Sequence, residues 1–165
     1  DFIFSQQDRI GNIDYLNYWY WVDAGEVQRR PATGSKVPED IASHHPVRLR
    51  RTQLNDNDAG GRLAYATFAK QTRMLEKIRH YNPETYRRLM RLAADFEARG
   101  ELHDYVQSTF GLSDRQFKQI LNNTRLAAGI LRDACHAGKL RFDLDAPAYL
   151  VTGKSLERKV DCDTP

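Results

Sequence analysis

Apolar residues recur at helical spacing through the middle of the chain. From Arg62, the side chains of Ala64, Phe68, Leu75 and Ile78 fall near one face of a helix that should stop around Tyr81, since Asn82 suits an N-cap and Pro83 the first helical position of the next element. That next helix, over about 83–98, gathers Tyr86, Leu89, Met90, Ala93 and Phe96 on one stripe, with Gly100 expected as its left-handed cap. A short helix over Glu101–Phe110 should bury Leu102, Tyr105, Val106 and Phe110 and end at Gly111. Ser113 and Gln116 then make an S-x-x-Q signature, in which each side chain satisfies a backbone N–H near a helix start. It opens a fourth helix over about Asp114–His136, where Phe117, Ile120, Leu121, Thr124, Ala128, Leu131 and Cys135 keep helical spacing and Gly138 closes the run.

The flanks lack that period. Residues 1–61 read as an irregular arm punctuated by Gly11, Gly25, Gly34, Pro31, Pro38 and Pro46, with the turn-rich run 55–61 as its terminator. Within the arm, Ile13–Val22 is too aromatic to stay in water and fits either a short helix or a strand. It is read as a buried anchor, the functional alternative being a stacking surface for bases or sugars. After residue 138, Leu140, Phe142 and Leu144 alternate with Arg141 and Asp143, and Ala148–Thr152 follows Pro147, which suggests a small two-stranded ribbon. The expected fold is therefore mainly α. A single-domain helical bundle has an irregular N-terminal arm packed on it (1–61), a four-helix core (62–138) and a short C-terminal β-ribbon or tail (139–165). A chain of 165 residues suits one such core.

Composition narrows the classes without choosing among them. With 41% hydrophobic and 28% charged residues the chain is neither disordered nor lipid-embedded in character, and no apolar run approaches a membrane span, so no membrane insertion is expected. The formal charge of +3 hides a gradient, because residues 61–138 hold thirteen Lys/Arg against eight Asp/Glu. Eighteen of the basic residues are arginine, whose planar fork suits phosphate or carboxylate, although codon bias in a GC-rich genome produces the same count. Two cysteines, Cys135 and Cys162, are too few for a disulfide framework. A single bridge would pin the C-terminal tail to a helix end, but free thiols are the favoured reading. A start at Asp1 is read as a processed or excised chain, and the compartment stays open: cytoplasmic for a DNA binder, periplasmic or secreted if a leader was removed.

The sharpest functional guess comes from residues 103–124, which resemble the helix-turn-helix of DNA-binding proteins. Val106, Phe110, Leu112, Phe117 and Ile120 stand at that pattern's apolar positions and Gly111 at its tight turn, while Gln107 departs from the small residue the pattern wants. The resemblance implies a miniature core between two helices, with the outer side of the second free for a groove. Arg115, Gln116, Lys118, Gln119, Asn122 and Asn123 would read bases there, and Arg87, Arg88 and Arg91 would contact phosphates. The alternative is a non-enzymatic protein-interaction domain, as in a secreted or periplasmic accessory protein, with the arm and its aromatic cluster engaging another polypeptide.

Enzyme signatures are weak. Asp133–Gly138 resembles the D-A-C-H-x-G segment of caspase-like peptidases, but that family needs a His-Gly pair and this chain has none. Thr152–Ser155 ends like a phosphate-binding loop, yet Ala148 stands where the motif requires glycine. The histidines His44, His45, His80, His103 and His136 lack metal-ligand spacing. No catalytic residue, metal or cofactor is predicted, the partner is DNA or another protein, and the oligomeric state is left open.

Overall fold

In the computed structural model, residues 2–4, 13–54 and 68–164 are described. They divide into two compact units, one built on helices and one on a sheet. The turn-rich run at 55–61 and the start of the first expected helix, 62–67, lie outside the described residues.

The sheet unit overturns the expectation of a mainly α chain with an irregular arm. Strands β1 (Ile13–Asp23), β2 (Glu26–Pro31) and β3 (Val47–Leu54) form an antiparallel sheet in the order β2-β1-β3. The aromatic run is the central strand. Its period of two is hard to read because Tyr18 to Val22 puts large apolar or aromatic side chains on both faces of the sheet. Ala24 and Gly25, both at positive φ (48° and 82°), make the two-residue turn into β2, a geometry whose twist matches the paired strands. Across from β1, the Val47-Arg48-Leu49-Arg50 alternation is that of a half-buried strand.

A 3₁₀ turn at Glu39–His44 packs on β1, and Trp19 and Ile41 are both 5% exposed. Arg30 of β2 holds the turn through two hydrogen bonds to Asp40, each 2.8 Å. Those bonds keep the Asp40 carboxyl below the usual carboxylate range. The same unit contains α5 (Ala146–Thr152), which packs on β1 where a C-terminal ribbon was expected. Asp145 accepts a hydrogen bond from the Ala148 N–H and Pro147 sits in the first turn, so a capped helix start replaces the second strand of the ribbon.

In the helical unit, the described part of the expected first helix, residues 68–81, holds one α turn, α1 (Phe68–Gln71), and a 3₁₀ turn at Leu75–Lys77. Arg73 at φ 53° breaks the run, and Leu75, Ile78 and Tyr81 recur every three residues, which does not track one α-helical face. Next come α2 (Pro83–Ala98), α3 (Glu101–Thr109) and α4 (Asp114–His136), with α2 in contact with both α3 and α4. The Asn82 side chain caps α2 by accepting from the Thr85 N–H at 2.8 Å. Ser113 and Gln116 form the reciprocal capping box at the start of α4.

The core of this unit centres on Tyr86, Met90, Ala128, Leu131, Cys135, Leu140 and Phe142, with the Tyr86 and Phe142 rings edge to face at 5.0 Å. Leu140–Leu144 runs through it as an extended segment bridged to His80, supplying the buried Leu140 and Phe142. Gly100 is not the left-handed cap of α2. Arg99 takes that conformation (φ 53°), while Gly100 is extended and is needed for space, since a Cβ there would lie 2.3 Å from Asp95 Oδ2. Asp95 in turn accepts a hydrogen bond from the His103 N–H at 2.9 Å, so α2 carries an anion against the first turn of α3.

Candidate interaction surfaces

The corner between α3 and α4 has the glycine elbow of the motif, with Gly111 at φ 57°; of the five apolar positions Phe117 and Ile120 are buried, and Phe110 is the one in water. Phe110 is 56% exposed and lies edge to face with Tyr105, itself 56% exposed, at 6.1 Å between centroids. Val106 and Leu112 are half-buried. Phe117, 4% exposed, instead meets His103 at 4.8 Å and Phe96 at 6.3 Å, both edge to face. Three rings, from α2, α3 and α4, thus meet at a corner where the motif joins two helices alone.

The six residues expected to read bases are not one surface. Asn123 is 4% exposed; its Nδ2 donates to the Ile3 carbonyl at 2.8 Å and its Oδ1 accepts from Lys70 Nζ at 2.5 Å. It joins α4 to α1 and to the segment at residues 2–4, and burial lowers the pKa of Lys70 beside it. Gln116 is held in the capping box, its Oε1 accepting from Ser113 N–H at 3.0 Å and from Ser113 Oγ at 2.8 Å. Gln119 is half-buried. Arg115, Lys118 and Asn122 are exposed on neighbouring turns of α4. Lys118 also lines a cleft of about 490 Å³ shared with Phe96, His103, Asp114 and Arg125.

The three arginines assigned to phosphate converge on a single carboxylate. Arg88 lies 3.2 Å, Arg91 3.5 Å and Arg87 3.9 Å from Glu84, so this part of α2 is a local ion-pair cluster on the protein's own surface.

Three features lie outside the helix-turn-helix reading. Cys135, in the last turn of α4, is bridged to Cys162, correcting the expectation of free thiols. The Tyr86 hydroxyl donates to the Cys162 carbonyl at 2.8 Å, and burial pushes its pKa up to about 12. His80 Nδ1 lies 2.9 Å from both oxygens of Asp143, whose side chain is 6% exposed. That hydrogen bond, helped by Arg141, holds the Asp143 carboxyl below its ordinary range. The third feature is the array of arginines on the sheet: Arg50 lies over the Tyr15 ring at 4.1 Å, and Arg29 and Arg51 flank the Tyr18 ring at 5.9 Å each. The alternation of Val47–Arg50 was the local signal for it. Among the described residues no group of three or more His, Cys, Asp or Glu side chains is arranged to hold a metal ion, and no helix is long and apolar enough to cross a membrane.

No protein-family model matches the chain, and no curated protein or solved structure matches it either, so its residues alone carry the functional reading.

Proposed function

We propose that the chain is a non-enzymatic protein-interaction domain of an oxidising compartment. The observation that carries the reading is the outer face of α3 and its elbow, where Leu102, Tyr105 and Phe110 are 46%, 56% and 56% exposed. Large rings in water next to one another are the residue type that dominates protein–protein contacts once desolvated. The same residues count against a helix-turn-helix, which needs Phe110 inside. The Cys135–Cys162 bridge supports the compartment, because glutathione and thioredoxin keep such pairs reduced in the cytosol of most cells.

Two measurements test it. Differential alkylation of protein taken from its native source should find both cysteines protected until reduction; free thiols there would remove the compartment. Cross-linking in the same source should yield one stoichiometric partner, lost in Tyr105→Ala/Phe110→Ala while the circular dichroism stays unchanged. A partner retained by that variant would remove the α3 face.

DNA binding is the second reading, favoured by the positive-φ elbow at Gly111 and the exposed Arg115, Lys118 and Asn122 on α4. It predicts affinity for duplex DNA that falls steeply with salt and weakens in Arg115→Ala/Gln119→Ala. Duplex binding unchanged in that variant would dismiss it.

A further inference from the structure

We propose that one face of the β2-β1-β3 sheet is a binding platform for single-stranded nucleic acid. The register places Leu16, Tyr18, Tyr20 and Val22 of β1 on that face, beside positions 27, 29 and 31 of β2 and 47, 49 and 51 of β3. None of these positions is acidic, and the strand carboxylates Asp23 and Glu26 face each other on the opposite side. The strands thus place two cations and two rings on this face among the aliphatic Leu16, Val22, Val27, Pro31, Val47 and Leu49, with no acid among them.

Their arrangement is a diagonal. Arg51 stands opposite Leu16, and Arg29 opposite Tyr20, so the two guanidinium groups approach the Tyr18 ring from opposite corners, each 5.9 Å from its centroid. Strand dimensions put the two arginine Cα atoms roughly 17 Å apart along that line. Tyr18 and Tyr20 are half-buried, with centroids 6.3 Å apart, and Arg29 and Arg51 are exposed. A chain crossing the sheet on this diagonal meets a cation, two rings and a cation. Alternating phosphates and flat bases match that sequence of contacts, the guanidinium groups taking phosphate oxygens and the rings stacking on bases. An acidic glycan or peptide supplies the charge without a π-face for each ring.

At 5.9 Å each guanidinium lies over the Tyr18 ring at the outer limit of cation–π contact, whereas Arg50 sits closely over Tyr15 at 4.1 Å on the other face. The opposite face is also committed elsewhere, with Trp19 buried and Arg30 held by Asp40. The platform is independent of the α3 contact and of the α4 reading, and its failure leaves both standing.

The test is fluorescence anisotropy of the full oxidised chain with a labelled oligothymidylate across a salt series. Duplex DNA of equal length and a sulfated oligosaccharide serve as competitors. The expected result is binding to the single strand in preference to both competitors. Tyr18→Leu, which keeps an apolar residue in the sheet, should weaken it about five-fold or more. Arg29→Gln/Arg51→Gln should reduce the slope of log affinity against log salt by about 1.4, the share of two phosphates on a single strand. Arg115→Ala/Gln119→Ala should leave it unchanged. Absence of binding, equal affinity for duplex or glycan, full affinity in Tyr18→Leu, or an unchanged salt slope in the double arginine variant would each overturn the proposal.

Discussion

Reduction of the Cys135–Cys162 bridge should cost the helical unit a large part of its stability. The bridge spans a sequence separation of 27 residues, and the chain-entropy relation gives about 3.5 kcal/mol at 25 °C for opening a loop of that size. Against a typical total of about 5–15 kcal/mol for a natural domain, this is enough to move the molecule from robust to marginal. Urea unfolding followed by circular dichroism, on oxidised and reduced samples of the same protein, measures it directly. With an m-value of roughly 2 kcal/mol per molar, the midpoint should fall by about 1.7 M on reduction. Reduced wild-type protein is the right comparison because it keeps the core atoms at Cys135, which is 9% exposed. Cys135→Ser/Cys162→Ser adds a hydroxyl at that site and should lose a further 1–3 kcal/mol or so. If reduced and oxidised midpoints agree within about 0.3 M, the bridge closes no loop that the denatured chain feels, and the entropic argument is wrong.

Further outcomes follow from the caps, a close contact and one carboxylate. Ser113→Ala should destabilise by about 1 kcal/mol, and a double-mutant cycle with Gln116→Ala should show coupling, because the two side chains satisfy each other's backbone donors. Gly100→Ala should cost about 1–3 kcal/mol by overpacking against Asp95; Asp95→Ala in the same background should recover the steric part, and failure to recover it would argue against the contact. Gly111→Ala meets no atom within 4 Å but must hold φ 57°, so its loss should be the strain alone, about 1 kcal/mol. The lowered pKa of Asp143 means that the unfolded chain binds its proton more readily. Its contribution is complete above the ordinary carboxylate range and is lost as pH falls through the lowered value. NMR titration should find this pKa rising toward the ordinary value in His80→Phe, and an unchanged titration would refute the assigned cause.

Helices α2 and α4 were legible because each announces itself locally: Asn82-Pro83 for the one, the S-x-x-Q box and Gly138 for the other. The sheet was not, for two physical reasons. Its central strand is apolar on both sides from Tyr18 to Val22, which erases the period of two, and its turn uses Ala24-Gly25 in place of the Asn-Gly or Asp-Gly pair that signals a tight hairpin. The prolines and glycines that made the arm look irregular lie largely in the β1–β2 turn, at the end of β2 and in the connection carrying Ile41, where they permit a hairpin and a 3₁₀ turn. At the C-terminus, the alternation holds from Leu140 to Phe142 and breaks at the buried Asp143 and exposed Leu144, and the segment's partner is His80 and not the stretch after Pro147.

The surfaces were harder to read than the elements, since a surface is what remains after tertiary packing has taken its share. Polar residues on α4 looked equivalent in sequence, yet Asn123 was drawn inside to bond the Ile3 carbonyl and Lys70, and Gln116 was taken by the helix start. Phe110 went the other way and stands exposed, while Phe96 and His103 pack on Phe117. A third helix supplies a ring at the corner, and the corner's own ring stands in water, next to Tyr105. The feature that weakens a groove-reading helix is the same one that produces an exposed aromatic contact. On the sheet the arginines of β3 acquire meaning only through register, which sets Arg51 with Arg29 around Tyr18 and sends Arg48 and Arg50 to the opposite face. A shift of one residue in that pairing would exchange the two sets, so the strand register is the physical basis of the proposed binding face.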